Sequence, residues 1–571
     1  MNTIFVLIIA AIALFLGYGV YARRIDRDVI QPDPKRACPA KLYMDGVDFI
    51  PASRNVLFGY QFKSIAALGP ILGPIAAVQW GWLPALLWII FGTSFIGWVQ
   101  DYASMMMGVR RDGDTLGALS YKLISPRARN ILMLFLYFYL LLIMGAFGNT
   151  VGKGLMINPK VPLGMIIVTL AGILAGQMLY KMKQDIVLTS IVAVAISFLG
   201  IGISTLPAVS NIFSGLYGLP KSPVVFLTVT RAQFIGTLLV FLFCYLGSVL
   251  PIWSWAQPVN YVSFWIIALG MLGGVLGMLI WRPGMGEFPA FTQWSIPTGP
   301  LWPMLFVTIA CGAISGWHSL VSTSGTARQL ECETDALPVG GGAMFMEMVL
   351  ATIAFLTATV AFGSLTAYKE TLGKVAALGV FAEGLARFLD RLGVPHDFGV
   401  AYGSVFLTIM GLTIMQLAVR FMRVASAELL GDKVPVFKNV HVGTIVALIL
   451  TAIFVWIVPW LTIWTAFGAA NQLMAGLALL LISLWLKEEG KRNTWALYPS
   501  IFMLVTTVAA LILLAYNQFK GIAVAKTSQA AIAAALVAII AVVLIVAAGF
   551  LIADGWKALQ KRRPEMAKKV P

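Results

Sequence analysis

Ser315, Ser319, Ser322 and Thr326 recur at i, i+4, i+7 and i+11, which sets four hydroxyls on one helix face, with His318 one step around it. The run that carries them, residues 301–326, is otherwise apolar, so that face wants water, an ion or another helix. Hydroxyls bonded back to the preceding turn and small residues that ease close packing explain many such runs. The imidazole shifts the balance. An ionisable group at membrane depth is a functional site by default, and histidine titrates near physiological pH, so the chemistry expected is proton acceptance by His318.

Gly69-Pro70-Ile71-Leu72-Gly73-Pro74 sits inside another apolar run, residues 58–80. Each proline removes a backbone donor and each glycine loosens the chain, which predicts an interrupted span. Gly247-Ser248-Val249-Leu250-Pro251, followed by Trp253 and Trp255, predicts a second interruption in the span from Ala232. A packed proline kink accounts for one such segment. Two in one bundle point to a central cavity where half-helix ends leave main-chain groups free to hold a solute and its driving ion. A substrate carboxylate is expected at Gly69–Gly73 or Gly247–Ser248, with Tyr60, Trp253 and Trp255 closing over its apolar parts. Among single charges, Asp101 reads as a helix-end anchor or a coupling group, and Glu347 as a gate or a helix-start carboxylate. Lys63 either snorkels to the surface or attracts an anion. Asn471-Gln472 is expected to bond between helices of a C-terminal block.

These residues must be positioned by membrane helices. Of 571 residues, 60% are hydrophobic and 11% charged, which excludes a soluble globule. The net charge of +16 does not indicate nucleic acid, because the basic residues lie between apolar runs. About fifteen runs of spanning length occur, near 3–22, 58–80, 84–108, 129–151, 162–180, 185–206, 232–256, 260–282, 301–326, 343–364, 397–422, 440–459, 462–486, 495–516 and 529–553. Most of the 40 Lys and Arg fall in alternate loops and in the tail with Lys557, Lys561, Arg562, Arg563, Lys568 and Lys569. That bias predicts an N-terminus outside and a C-terminus in the cytoplasm. The first run lacks a basic n-region and reads as a retained helix. The four cysteines form no disulfide framework or zinc CxxC motif. Apolar positions at helical spacing after Val375 predict an amphipathic helix on the surface. The division drawn is a transport core over 1–375, with an accessory first span, and a five-span block over 376–571 that includes the last core helix, 397–422.

Asp45-Gly-Val-Asp48-Phe-Ile-Pro51, Leu57-Phe-Gly59-Tyr-Gln-Phe-Lys63-Ser-Ile-Ala, the Gly69–Pro74 motif, Gln100-Asp101, Leu250-Pro251-Ile-Trp253, Gly312-Ala-Ile-Ser-Gly-Trp-His318-Ser and Phe467-Gly-Ala-Ala-Asn471-Gln472 resemble the carbon starvation protein A (CstA) family over most of the chain. The resemblance implies an all-α inner-membrane transporter with a LeuT-like core, a five-plus-five inverted repeat with two broken helices, taking up peptides or small carboxylates such as pyruvate. Its repeats would start near Phe58 and Ala232, making the serine-rich run the eighth core helix. The resemblance then suggests Na⁺ at Gly69, Ser319, Ser322 and Thr323, as the alternative to H⁺ at His318. The chain departs from the family where two histidines are usual and it has Tyr60-Gln61, where an Arg-Asp pair is usual and it has Val259-Asn260, and at Thr323-Ser-Gly-Thr326.

The reading is a multi-pass cell-membrane symporter working by alternating access. Tyr60, Gln61, Gly69, Pro70, Gly73, Gly247, Ser248, Trp253 and Trp255 are expected around the substrate, and His318, Ser319, Ser322, Thr323 and Asp101 around the coupling ion. No catalytic residue is expected, since no HExxH or paired-carboxylate pattern accompanies His318. Partners are a small-molecule or peptide substrate and the lipid bilayer, with no nucleic acid, and no cofactor beyond H⁺ or Na⁺. The rival reading is a nutrient sensor or scaffold without transport. No motif specifies an oligomeric state.

Overall fold

A computed structural model of the chain describes residues 2–561 apart from Val47. Arg562, Arg563, Lys568 and Lys569 of the basic tail lie outside the described residues. Among the described residues, 13 helices are long and apolar enough to cross a membrane, and one pair bent by 46° makes a further span. The bent pair is α2 (Arg54–Ile65) with α3 (Gly69–Trp80), after the first helix α1 (Thr3–Ile30). Ala66 takes extended backbone, and Pro70 sits in the first turn of α3, where its missing N–H costs nothing.

The first half continues through α4 (Trp82–Arg110), the short α5 (Leu116–Leu123), α6 (Pro126–Leu155), α7 (Pro162–Lys181), α8 (Ile186–Ser204), α9 (Arg231–Val249) and α10 (Ala256–Trp281). The second half opens on α11 (Leu301–Thr308) and α12 (Gly316–Ser324), which meet at a non-helical stretch from Ile309 to an extended Ser315. Then come α13 (Glu333–Thr359), α14 (Leu365–Asp390), α15 (His396–Leu430), α16 (Val440–Ile457), α17 (Trp460–Glu488), α18 (Thr494–Ala523) and α19 (Ser528–Gln560).

The two halves pack by one scheme. Helix α3 lies on α13 as α12 lies on α4, and α6 crosses α15. Likewise α9 lies on α15 as α16 lies on α6, while α10 flanks α2 as α17 flanks α12. Seven crossings separate the start of one half from the start of the other, so the halves run in opposite senses. This is the five-plus-five inverted repeat, with α7–α8 and α18–α19 as paired helices added outside it.

Three expectations are corrected. The segment Gly247–Pro251 is no interruption of a span: α9 ends at Val249 as a full crossing and α10 starts at Ala256. The second interrupted helix is the serine-rich run, so the second repeat begins at Leu301 rather than near Ala232, and α15 takes the eighth core position. The sequence signal was ambiguous because Gly-Ser-Val-Leu-Pro suits a helix end as well as a break, whereas the break at 309–315 contains no proline. The amphipathic helix after Val375 lies in α14, bent at Ala376 (φ 55°), and its Val380, Phe381, Leu385 and Phe388 are buried in the bundle instead of resting on the surface.

The two interrupted helices touch at their breaks, and the glycines of the Gly-Pro motif permit it. A Cβ on Gly69 would stand 2.3 Å from Cys311 Sγ, and one on Gly73 would stand 2.6 Å from the Thr308 carbonyl oxygen. Backbone cannot yield there as a flexible side chain can. Gly73→Ala should therefore lower the detergent melting temperature, at a cost of about 1–3 kcal/mol. Gly549→Ala, which meets nothing within 4 Å, should not. Equal melting of the two variants would contradict this packing.

A buried ionisable cluster where the two breaks meet

Interrupting a helix strands carbonyls and amides that lipid cannot satisfy. Here side chains take them. Lys63 Nζ donates to the Ala66 carbonyl at 3.1 Å, and Trp317 Nε1 donates to the Ser64 carbonyl at 2.6 Å. On the second break, Thr93 Oγ1 donates to Gly312 O at 3.2 Å, Gln100 Nε2 to Ser315 O at 2.6 Å, and Gln472 Nε2 to Phe306 O at 2.8 Å. Asn471 Oδ1 accepts from Tyr139, from Ser315 Oγ and from the Trp317 amide. Thus Asn471 and Gln472 serve the second break, not a separate C-terminal block.

The imidazole at the start of α12 is flanked on both sides. His318 Nδ1 lies 2.9 Å and 3.1 Å from the two oxygens of Asp101 on α4. Its Nε2 lies 3.2 Å from Glu347 Oε2 on α13. All three side chains are fully buried. With Nδ1–H donated to Asp101, a neutral ring turns the Nε2 lone pair toward a carboxylate oxygen, and two acceptors that close repel unless a proton lies between them. Among the described residues Nε2 and both Glu347 oxygens have no aligned hydrogen-bond partner. Lys63, also fully buried, lies within electrostatic reach of Glu347 and completes a cluster of two acids and two bases. Asp101 is no exposed anchor and Lys63 does not snorkel.

The hydroxyls are committed to neighbouring helices. Ser319 Oγ accepts from Gln100 at 2.7 Å and from Ser104 at 3.0 Å. Ser322 Oγ accepts from Gln61 Nε2 at 3.1 Å, and Thr326 donates to Gln61 Oε1. Thr323 bonds back to the Ser319 carbonyl at 2.7 Å. The structure therefore brings Tyr60, Gln61, Gly69, Pro70, Gly73, Asp101, His318, Ser319, Ser322 and Thr323 to the two interrupted helices and their immediate partners. Three others lie apart. Gly247 packs against Gln416, Ser248 bonds Thr444 at 2.9 Å, and Trp253 sits edge-on to Tyr180 near Lys181. Trp255 is buried, with its indole on Gln416 Oε1 at 2.9 Å, in a chain that runs through Asn260 to Ser64.

A cavity of about 80 Å³ is lined by Tyr60, Ser324, Arg328, Arg420, Phe421 and Arg423, with the carboxylates Asp48 and Glu428, and the Phe421 ring lies 5.5 Å from that of Trp317. Asp48 lies between Arg420 at 3.4 Å and Arg328 at 3.9 Å. Sequence reasoning missed these arginines, because Arg420 and Arg423 close a long apolar run and read as topology signals.

Fold and site together define a helical membrane protein whose inverted repeats cross at a buried acid–base cluster. A profile of the family described as Carbon starvation protein CstA matches residues 2–376 and 364–510, and the chain belongs to that family. Over 602 residues it is 28% identical to the Peptide transporter CstA of Campylobacter jejuni, covering 92% of this chain and 82% of that one. It is 26% identical over 599 residues to the Pyruvate/proton symporter BtsT of Escherichia coli, covering 88% and 81%. Among solved structures it is similar to MhsT in complex with L-phenylalanine at 14% identity and TM-score 0.43, covering 88% and 99%.

Asn471→Leu preserves bulk but strands the Tyr139 and Ser315 hydroxyls and the Trp317 amide. It should destabilise the protein by about 1–3 kcal/mol for each stranded group that finds no water. A thermal-shift measurement in detergent checks this, and a variant that melts with the parent contradicts it.

Proposed function

We propose that the protein is a secondary active transporter that moves a carboxylate-bearing solute, a peptide or a small acid such as pyruvate, together with protons. The observation that carries this reading is the contact of two acceptors, His318 Nε2 and Glu347 Oε2, at 3.2 Å in a fully buried cluster. Burial favours a cluster without net charge. With Lys63 positive and Asp101 negative, neutrality requires one proton shared between His318 and Glu347. Losing that proton leaves a net negative cluster sealed from water, so exchange awaits a conformation that opens the crossing to one side. A proton held until the path opens is what coupling needs.

Protons are favoured over Na⁺ because the hydroxyls of Ser319, Ser322 and Thr323 already serve helix-to-helix or same-helix bonds, while His318 Nε2 and the Glu347 oxygens have no aligned partner among the described residues. In the cavity Arg328, Arg420 and Arg423 outnumber the carboxylates Asp48 and Glu428, a net positive charge suited to receiving a carboxylate. A cavity of about 80 Å³ holds a few waters, so substrate entry requires the cavity to widen. We place the cavity's side of the membrane in the cytoplasm, with the N-terminus outside, because Arg110, Arg111, Arg127 and Arg129 flank the same ends of α4 and α6. The names of the relatives support transport of peptides or pyruvate.

In reconstituted vesicles, labelled pyruvate or dipeptide should accumulate under a pH gradient, with each pH unit supporting about tenfold for one coupled proton. His318→Ala should abolish proton-driven uptake. Glu347→Gln should lose accumulation yet keep exchange of labelled for unlabelled substrate, because it removes the shared proton and leaves the path. Undiminished accumulation in both variants, or accumulation that follows a Na⁺ gradient alone, overturns proton coupling; binding without accumulation by the parent overturns transport.

A further inference from the structure

Helix α1 stands outside the inverted repeat, and between it and helices α2, α10 and α13 runs an open groove of about 850 Å³. Its walls are apolar along most of their length, with Phe58, Met271, Val275, Phe345 and Met346 among them. Two guanidinium groups mark one end. Arg54 is the first residue of α2, and Arg23 lies nine residues beyond Leu14 on α1. Both act electrostatically on Tyr18, which also lines the groove, and Arg23 lies 5.9 Å from the Tyr18 ring centroid. Arg54 pairs with Asp335 at 3.8 Å and is more than half exposed; Arg23 makes no ion pair within 4 Å among the described residues, its nearest acid in sequence being Asp26 one turn on.

We infer that this groove holds one phospholipid of net negative headgroup, its phosphate between Arg23 and Arg54 and an acyl chain along Phe58, Met271, Val275 and Phe345. The groove opens sideways from spanning helices at hydrocarbon depth, so its apolar length faces lipid, and its basic end lies at the level of the headgroups. Basic pockets between helices select anionic lipids by this match of charge and depth. The ligand is a lipid, not free phosphate, because the cations terminate a long apolar trough and do not form a closed polar site.

The test uses the full chain purified in mild detergent and equilibrated with equal amounts of phosphatidylglycerol and phosphatidylethanolamine, with bound lipid counted by native mass spectrometry. One phosphatidylglycerol should be retained per chain, in preference to phosphatidylethanolamine. Arg23→Ala/Arg54→Ala should cut its retention about tenfold or more while melting of the lipid-free protein stays near the parent's. Leu272→Trp, at an exposed position on the groove wall, should displace lipid without touching the charges. Adding inorganic phosphate should leave retention unchanged. Equal retention of the two lipids by the parent, parental retention in either variant, or loss of the lipid to phosphate competition overturns the inference.

Discussion

A carbonyl or amide without a partner at membrane depth costs several kcal/mol, and each interrupted helix creates several where the two cross. Everything around that crossing answers to this cost. Lys63 and Trp317 cover the first break, while Thr93, Gln100, Asn471 and Gln472 cover the second. These side chains come from α2, α4, α12 and α17, so the breaks are sealed only when both halves of the repeat are in place. Glycine at 69 and 73 lets the main chains approach closely enough for the sealing to work.

Among the described residues the seal leaves His318 Nε2 and both Glu347 oxygens without an aligned partner, along with the side-chain oxygens of Gln100 and Gln472, and of these only the His318 and Glu347 atoms are ionisable. Asp101, His318, Glu347 and Lys63 come from four different helices, two of them interrupted, and meet with the imidazole between two carboxylates. A shift of either interrupted helix therefore alters the protonation of the cluster, and a change of protonation alters how the helices hold together. Under the proposed function, that reciprocity is what would couple the proton to the movement of the helices. The arginine-lined cavity shares helix α12 with the cluster through Leu320 and Ser324, so under the proposed function solute and proton would act on one helix.

Much of this was legible in the sequence. Apolar run length alone places every crossing, because about 20 residues of helix must span the bilayer whatever the packing. The first break is legible too, since proline and glycine carry their own conformational signal, although it falls at residues 66–68 and the Gly69–Pro74 motif itself forms the first turns of α3. The break at 309–315 is not, because its backbone is held open by Gln100, Asn471 and Gln472 from distant helices. Gly247–Pro251 misled for the opposite reason: a strong local signal for a break serves equally at a helix end. Spacing flagged His318, but its partners at positions 101 and 347 are brought in by packing of α4 and α13 on α12 and α3. Free main-chain groups were expected to hold the solute; in this structure the carbonyls of Ser64, Ala66, Gly312 and Ser315 accept from side chains.

The central claim is that one exchangeable proton is shared by His318 and Glu347. Infrared difference spectroscopy across a pH titration of the purified protein reads it directly through the C=O stretch of a protonated carboxyl. A shared proton should give a carboxyl signal that titrates together with an imidazole signal, both of them lost in Glu347→Gln and the carboxyl signal altered in His318→Gln. A pH difference spectrum identical in the parent and in Glu347→Gln would contradict it.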